Sequence, residues 1–131
     1  MILEKILLID DSDIDNLVNR KVVENTGVSK SIAIKKSAES AIRYLHDVAQ
    51  NNTEQIPDLI FLDIRMPEMD GFGFLELFEE LPDIVHKKTK IVMLSSSVDT
   101  EDHKKAMANR FVIQFLNKPL KKESVQKLTQ L

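Results

Sequence analysis

The sequence of 131 residues contains no cysteine. The absence of thiols excludes disulfides, zinc sites built on thiolates and cysteine nucleophiles. Its three histidines, His46, His86 and His103, are far apart and lack the spacing of metal ligands. We therefore expect each of them to be a solvated helix or loop residue.

Long apolar runs are also missing. No stretch approaches the roughly 20 apolar residues that a membrane-spanning helix needs. The first residues have neither the basic start nor the small-residue cleavage site of a signal peptide. With 43% hydrophobic and 30% charged residues, the chain is typical of a globular cytoplasmic protein that does not bind membranes. Its length predicts a single domain over residues 1–131.

A general excess of positive charge is absent as well. The net charge is −3, so the chain has no general electrostatic reason to bind nucleic acid directly. The charge is unevenly distributed, because residues 101–131 carry seven Lys or Arg against three acids, while residues 1–100 carry eleven against eighteen. The basic C-terminal quarter is either an ordinary solvated surface or a docking face for an acidic partner.

Five short apolar runs alternate with segments of helical period. Continuous apolar runs of this kind are typical of parallel strands that are covered on both faces. The alternation predicts an α/β fold, a doubly wound five-stranded parallel sheet with helices on both faces. The predicted strands are residues 5–9, 31–35, 59–63, 91–94 and 111–116, of which the second is the weakest and is expected near a sheet edge.

Five helices are predicted between and after these strands. The first begins at Ser12, where Asp15 completes a predicted capping box, and ends at Gly27. Pro82 ends the third, and residues 83–90 are predicted to be a polar loop. The side chains predicted to face the core are Ile14, Leu17, Val18 and Val22 in the first helix, Ala38, Ala41, Ile42 and Leu45 in the second, Phe74, Leu75, Leu77, Phe78 and Leu81 in the third, Ala106 and Met107 in the fourth, and Val125, Leu128 and Leu131 in the fifth.

Polar or charged residues follow four of the five predicted strands. Ligand sites of open parallel sheets lie beyond the carboxyl ends of the strands. Each residue alone has a plain structural explanation, such as a helix cap or a turn, but their joint occurrence at one edge favours a functional site. They are Asp10 and Asp11 after the first strand, Asp63 after the third, Ser95, Ser96 and Ser97 after the fourth, and Asn117, Lys118 and Pro119 after the fifth.

Three carboxylates, a hydroxyl and a lysine at one edge are suited to phosphoryl transfer. Neighbouring carboxylates repel each other unless a cation joins them. Oxygen ligands without His or Cys select a hard ion such as Mg²⁺, with Mn²⁺ as a substitute. A lysine supplies positive charge for one phosphoryl oxygen, and a serine hydroxyl donates to another. The carboxylate between them can attack phosphorus and form an acyl phosphate.

On these residues the chain resembles the receiver domains of two-component response regulators, and its layout is similar to the chemotaxis-type regulators that consist of a receiver alone. The resemblance covers residues 6 to about 128. It is carried by the acidic pair after the first strand, the segment Asp-x-x-Met-Pro-x-Met-Asp-Gly from Asp63 to Gly71, the hydroxyl after the fourth strand, and Lys118-Pro119. It implies a flavodoxin-like sheet of order 2-1-3-4-5 and a signalling protein that is not an enzyme beyond its own phosphorylation and dephosphorylation.

The resemblance also implies an acceptor and a metal site. Asp63 would accept a phosphoryl group from the phosphohistidine of a histidine kinase or phosphotransfer protein. Asp11 would bind Mg²⁺ directly, Asp10 would help through water, and the backbone carbonyl of Arg65 would be a further ligand. The long cationic side chain of Arg65 would either shield the acyl phosphate from water or bind an outer oxygen.

A clamp and a switch are implied as well. Ser95, chosen because it comes first after the apolar run, and Lys118 would grip the phosphoryl group, with Ser96 as the small residue beside it. Movement of Ser95 would make room for Phe115, which lacks the hydroxyl of the tyrosine often found there. The switch would alter the face of predicted strand four, helix four, strand five and helix five. The downstream partner is unidentified, and the positive charge of this face would suit an acidic protein. The chain would be a monomer or a phosphorylation-dependent dimer.

Two other functions remain open at this point. A Mg²⁺-dependent phosphatase can also form an aspartyl phosphate on an α/β sheet, although residues 10–13 fit its nucleophile motif only loosely and no cap domain is evident. A degenerate receiver could act as a constitutive binding module, against which the presence of Asp11, Asp63 and Lys118 argues. We expect no DNA-binding output domain after residue 131, which argues against a transcription factor unless the chain is a fragment of a longer protein.

Overall fold

The computed structural model describes residues 2–97 and 99–129 and contains one parallel sheet of five strands. The strand order is β2-β1-β3-β4-β5, and every neighbouring pair is parallel. This confirms the predicted doubly wound, flavodoxin-like architecture, with the weakest predicted strand at an edge. The strands are β1 (Leu3–Ile9), β2 (Ser29–Lys35), β3 (Leu59–Asp63), β4 (Lys90–Ser95) and β5 (Val112–Asn117).

Six α-helices accompany the sheet in the described part of the chain. They are α1 (Asp13–Thr26), α2 (Ala38–Asn51), α3 (Gly71–Glu79), α4 (Asp83–Lys88), α5 (Thr100–Met107) and α6 (Lys122–Leu128), with a short 3₁₀ turn at Thr53–Gln55. The predicted fourth and fifth helices therefore correspond to α5 and α6. None of the described helices is long and apolar enough to cross a membrane.

The central strand β3 is buried along its whole length, and its side chains alternate between two hydrophobic clusters. Leu59 and Phe61 pack on the side that α1 and α6 cover, against Val23 and Val125. Ile60 and Leu62 belong to the cluster on the opposite side, which includes side chains of α2, α3, α4 and α5. Because both faces are covered, the carboxyl ends of the strands are left as the place where polar groups gather.

The buried face of α1 differs from the prediction. Ile14, Leu17 and Val18 are 73%, 54% and 41% exposed. The helix instead buries Val23 together with Asn16 and Asn19, whose polar side chains form no part of an apolar pattern. The phase is set at the first turn, where the Asn16 side-chain amide donates to the backbone carbonyl of Asp10 at 2.8 Å. A polar row therefore faces the sheet, and three apolar side chains face solvent.

Two other expectations were wrong. Residues 83–88 form α4 rather than a loop, and Val85 is its one buried apolar anchor, so the sequence shows no helical stripe there. His86 is not solvated, because its ring packs between Phe78 and Phe111 and its Nε2 donates to the carbonyl of Phe78 at 2.7 Å. His46 and His103 are exposed as expected.

The predicted cores of the other helices are largely confirmed. Ala38, Ala41 and Leu45 are buried in α2, and Phe74, Leu75 and Phe78 in α3, with Ile42 and Leu77 half-buried. Ala106 and Val125 are buried in α5 and α6, whereas Met107 is 42% exposed. Leu131 lies outside the described residues.

The helix ends follow the predicted caps. The Ser12 hydroxyl accepts from the backbone N–H of Asp15 at 3.1 Å, which is half of the predicted capping box, since the Asp15 carboxylate bonds elsewhere. Ser37 caps α2 in the same manner. Gly27 ends α1 with a left-handed backbone of φ 65°, a conformation that glycine adopts without a steric cost.

Gly71, the first residue of α3, lies against the backbone at the end of β3. A substitution at this position therefore tests the packing of α3 on β3. A Cβ at this position would lie 2.9 Å from the Asp63 carbonyl oxygen and 3.1 Å from the Cα of Ile64. We expect Gly71→Ala to lower the free energy of unfolding by about 1–3 kcal/mol, because backbone atoms cannot move aside cheaply. Urea unfolding measures the change.

Gly27→Asn is the matched control for this substitution. A Cβ at Gly27 meets nothing within 4 Å, and Asn tolerates the left-handed conformation, so its cost should be below about 1 kcal/mol. Equal stabilities of Gly71→Ala and the wild type would contradict the packing described for β3 and α3.

Candidate functional site

The carboxyl ends of β1 and β3 bring three predicted site residues together. Asp10, Asp11 and Asp63 each offer a carboxylate oxygen, and these oxygens lie within 4.8 Å of one another. Asp10 and Asp63 are buried, whereas Asp11 is exposed. The cluster has only oxygen donors, so it fits a hard divalent cation such as Mg²⁺.

Lys118 completes this cluster from the end of β5. Its backbone N–H donates to the Ser95 carbonyl at 2.8 Å, which joins the ends of β4 and β5. Its Nζ lies 2.7 Å from Asp10 Oδ2 and 3.1 Å from Asp63 Oδ1. The peptide bond between Lys118 and Pro119 is cis. The sheet thus brings a cation from its edge strand to acids on its central strands.

A third acid, Asp15, binds the same ammonium group. Its Oδ2 lies 2.8 Å from Lys118 Nζ, so three carboxylates surround one lysine whose side chain is only 14% exposed. The sequence interpretation missed this role and treated Asp15 only as a capping partner. The available signal was its place in the first turn of α1, directly after β1, where side chains can reach the sheet edge.

The buried setting changes the ionisation of two groups. Burial raises the pKa of Asp63 to about 6, and the charge of Asp10 acts in the same direction, while the hydrogen bond and charge of Lys118 and a backbone hydrogen bond from Arg65 oppose it. Burial alone would lower the pKa of Lys118, but its hydrogen bonds to Asp10, Asp15 and Asp63 outweigh burial and raise that pKa above its ordinary value. Lys118 therefore stays positively charged at neutral pH, and burial disfavours the ionised form of Asp63.

The three serines after the fourth apolar run have different environments. Ser95 is the last residue of β4 and is buried, and its Oγ accepts from the backbone N–H of Ser97 at 3.0 Å. Ser96 and Ser97 are exposed. Ser96 lines a groove of about 290 Å³ between α1 and the segment after β5, together with Asp15, Val18, Asn19, Lys118 and Pro119. Ser95 is the hydroxyl closest in register to Asp63, since β4 pairs directly with β3.

Arg65 connects the acid cluster to α5. Its guanidinium forms an ion pair with Asp102 in the first turn of α5, and the Asp102 side chain is 13% exposed while that of Arg65 is 58% exposed. A second contact places Lys105 Nζ 4.3 Å from the ring centre of Phe72 in α3. Two cationic contacts therefore attach α5 to the segments that follow β3.

Phe115 lies on β5, half-buried, on the side of α5. Its ring stacks on that of His103, with centroids 4.9 Å apart and an interplanar angle of 10°. The pair lines a small cavity of about 180 Å³ together with Asp99, Thr100 and Asn117. The structure thus places the predicted switch residue against α5 and gives it space on one side.

The basic residues of the C-terminal quarter separate into two groups. Lys118 forms ion pairs with Asp10, Asp15 and Asp63. The others are on exposed positions of α5 and α6 or beside them, namely Lys104, Lys105, Arg110, Lys121, Lys122 and Lys127. Both interpretations of this charge, a solvated surface and a docking face, remain compatible with that placement.

Comparison with known proteins gives consistent results. Residues 6–130 match the family described as response regulator receiver domain. The response regulator Rcp1 of Synechocystis is 27% identical over 97 residues, which cover 74% of this chain and 65% of Rcp1. The chain spans about half to two thirds of the length of the first curated relatives that it matches.

Two solved structures support the same assignment. A two-component response regulator from Cytophaga hutchinsonii superposes with a TM-score of 0.92 at 30% identity, covering 99% of this chain and 96% of that one. A response regulator receiver protein from Dyadobacter fermentans gives a TM-score of 0.85 at 33% identity, with coverages of 97% and 95%. From its sequence match, its fold and its acid cluster, we conclude that this chain belongs to the receiver domain family of two-component response regulators.

Proposed function

We propose that this chain is a Mg²⁺-dependent phosphoacceptor, with Asp63 as the nucleophile and a histidine kinase or phosphotransfer protein as the donor. The observation that carries the proposal is a buried carboxylate with a permanent cation 3.1 Å from its Oδ1 at the carboxyl edge of the sheet. An Asp63 oxygen forms a bond to phosphorus while the P–N bond of the donor phosphohistidine breaks. The electron pair of that bond stays on the imidazole nitrogen, which takes up a proton.

The acid cluster is suited to hold the metal ion. Asp11 and Asp63 would ligate Mg²⁺, or Mn²⁺ in its place, with the backbone carbonyl of Arg65, and Asp10 would act through water. The spacing of the three carboxylates within 4.8 Å supports this set. When bound, the ion supplies positive charge that offsets the acids and the phosphoryl oxygens.

Lys118 and Ser95 are proposed to bind the transferred group. Lys118 already donates toward Asp63, so a phosphoryl oxygen attached to Asp63 would take over that hydrogen bond. Ser95 is at the end of the neighbouring strand and can turn its hydroxyl from Ser97 toward another phosphoryl oxygen. Ser96, exposed beside the groove, leaves room for the group.

The output is proposed to leave through the face of β4, α5, β5 and α6. Ala106 is the one buried residue of α5, and the side chains of Arg65 and Lys105, whose contacts attach α5 to the segments after β3, are exposed. A helix held so lightly can take a second arrangement when Ser95 moves and Phe115 turns inward. The exposed lysines of α5 and α6 suit an acidic protein partner, and dimerisation on phosphorylation stays an expectation.

The exposed apolar side chains of α1 are proposed as the contact for the donor protein. Ile14, Leu17 and Val18 face solvent on the helix whose first turn carries Asp15, so they flank the site. A donor that seats on them would bring its phosphohistidine to the acid cluster. Family membership favours this function over a phosphatase, and the intact acid cluster with Lys118 favours it over a constitutive binding module.

The central test is phosphorylation by a small donor. We expect acetyl phosphate and Mg²⁺ to add one phosphate to the wild-type chain, as seen by intact-mass spectrometry, and EDTA to prevent it. Asp63→Asn should gain no phosphate, because the nucleophile is lost, while Asp83→Asn, on an exposed acid of α4, should behave as the wild type. A wild type that binds Mg²⁺ without gaining phosphate would refute the proposal.

The stability of the metal-free protein should depend on Asp63 and on pH. Because the pKa of folded Asp63 is raised to about 6, the ionised carboxylate destabilises the fold above pH 6, and this cost disappears as the pH falls toward 4. Asp63→Asn should therefore be more stable than the wild type at pH 7.5 in EDTA, by up to about 3 kcal/mol.

Urea unfolding at several pH values measures this difference. Asp47→Asn, on an exposed acid of α2, serves as the control and should show no such trend. Mg²⁺ should narrow the difference at pH 7.5, since it would bind the wild type more tightly. A stability gain that is equal at pH 4 and pH 7.5 would contradict the raised pKa.

The α1 contact predicts a selective defect. The donor is a phosphorylated histidine phosphotransfer domain that transfers phosphate to the wild type. Leu17→Glu should slow this transfer about tenfold or more, because it places a charge in an apolar interface. The rate with acetyl phosphate should stay within about twofold of the wild type. Ile84→Glu, at a 44% exposed position on α4, is the matched control, and an equal loss in both variants or with both donors would remove α1 as the contact.

A further inference from the structure

The ammonium of Lys118 has three N–H donors, and three carboxylates accept them. Asp10 and Asp15 bind it at 2.7 and 2.8 Å, and Asp63 at 3.1 Å. Asp15 comes from α1, whereas the other two come from the ends of strands. Asp15 is also outside the set of acids whose oxygens cluster for a metal ion. Its function in the site is therefore separate from metal binding.

Phosphorylation would change the three partners unequally. If Asp63 is the acceptor, as proposed above, one of its oxygens becomes the bridge of the acyl phosphate, and its negative charge moves to the phosphoryl group. The carboxylate of Asp10 would interact with any metal ion bound by the cluster as well as with Lys118. Asp15 has neither task, so it is the one carboxylate whose hold on Lys118 stays the same throughout.

The surroundings of Lys118 show why such a hold is needed. Lysine has a flexible stem of four carbons, and a groove of about 290 Å³ opens beside it, lined by Asp15, Val18 and Pro119 among others. An ammonium released by Asp63 could swing outward into this groove. Asp15 stands at the groove, 41% exposed, on the outer side of the cluster.

We propose that Asp15 is a positioning residue for phosphorylation, which holds Lys118 at Asp63 so that the ammonium is in place for the incoming phosphoryl oxygen. The raised pKa of Lys118, to which the Asp15 hydrogen bond contributes, is consistent with this hold. The proposal rests on Asp63 being the acceptor for its effect on rate, but the contact itself does not.

The first test compares phosphorylation rates with acetyl phosphate and Mg²⁺. Asp15→Ala should slow phosphate gain about tenfold, in line with loss of one hydrogen bond between charged groups. Asp15→Asn should recover most of the rate, because its amide oxygen can still accept from Lys118. Asp13→Ala is the matched control, since Asp13 lies in the same helical turn but pairs with Lys36 on the outside, and it should react as the wild type.

A double-mutant cycle separates positioning from a merely structural role. In a Lys118→Ala background, Asp15→Ala should cause no further loss of rate, whereas a structural defect of α1 would lower the rate in both backgrounds. A wild-type rate for Asp15→Ala, or an undiminished effect without Lys118, would overturn the proposal.

A stability cycle on the same variants keeps this inference distinct from the proposed function. Asp15→Ala should lower the midpoint of urea unfolding in the wild type but not in Lys118→Ala, whether or not the chain is phosphorylated. If the wild type gains no phosphate while this coupling is present, the proposed function fails and the contact is supported. If the wild type gains phosphate and the coupling is absent, Asp15 does not hold Lys118.

Discussion

The site depends on the balance between one buried cation and the acids around it. Burying a carboxylate without a partner costs several kcal/mol, and this fold buries two, Asp10 and Asp63. Lys118 is the group that makes their burial tolerable. It reaches them because its own backbone is bonded to the end of β4, so the pairing of β4 and β5 determines where the charge lies. The backbone hydrogen bonds of the sheet therefore also fix the position of the positive charge in the site.

The sheet also explains why the carboxylates of Asp63 and Asp11 have different environments. β3 is covered on both faces and both edges, so the acid at its end is removed from water, and its charged form is disfavoured. Asp11 follows β1 in sequence but faces solvent, where its charge is screened. Two carboxylates of one cluster therefore differ in burial, which is compatible with the separate roles proposed for them, nucleophile and metal ligand.

The sequence predicted what depends on strand ends and missed what depends on helix phase. Asp10, Asp11, Asp63, Ser95 and Lys118 could be found because the last residue of each apolar run is visible, and parallel strands end at one edge. Asp15 was missed although its place directly after β1 was visible, because its direction depends on which row of α1 faces the sheet. That row contains two asparagines, and three of the four apolar residues chosen from periodicity, Ile14, Leu17 and Val18, face solvent instead. Similarly, α4 has one buried residue, too few to show a period.

Even with Lys118, the site keeps an excess of negative charge, since its one ammonium pairs with Asp10, Asp15 and Asp63 while Asp11 lies beside the cluster. Arg65 does not correct this excess, because its side chain is paired with Asp102 on α5. This excess would disfavour a phosphoryl dianion at the proposed acceptor, and a divalent cation together with the fixed lysine would offset it. Burial raises the pKa of Asp63, and the nearby charge of Asp10, one of the acids proposed to bind Mg²⁺, acts in the same direction. A phosphoryl group bound there would also attract Arg65, which joins the charge of the acceptor to the helix that would carry the signal.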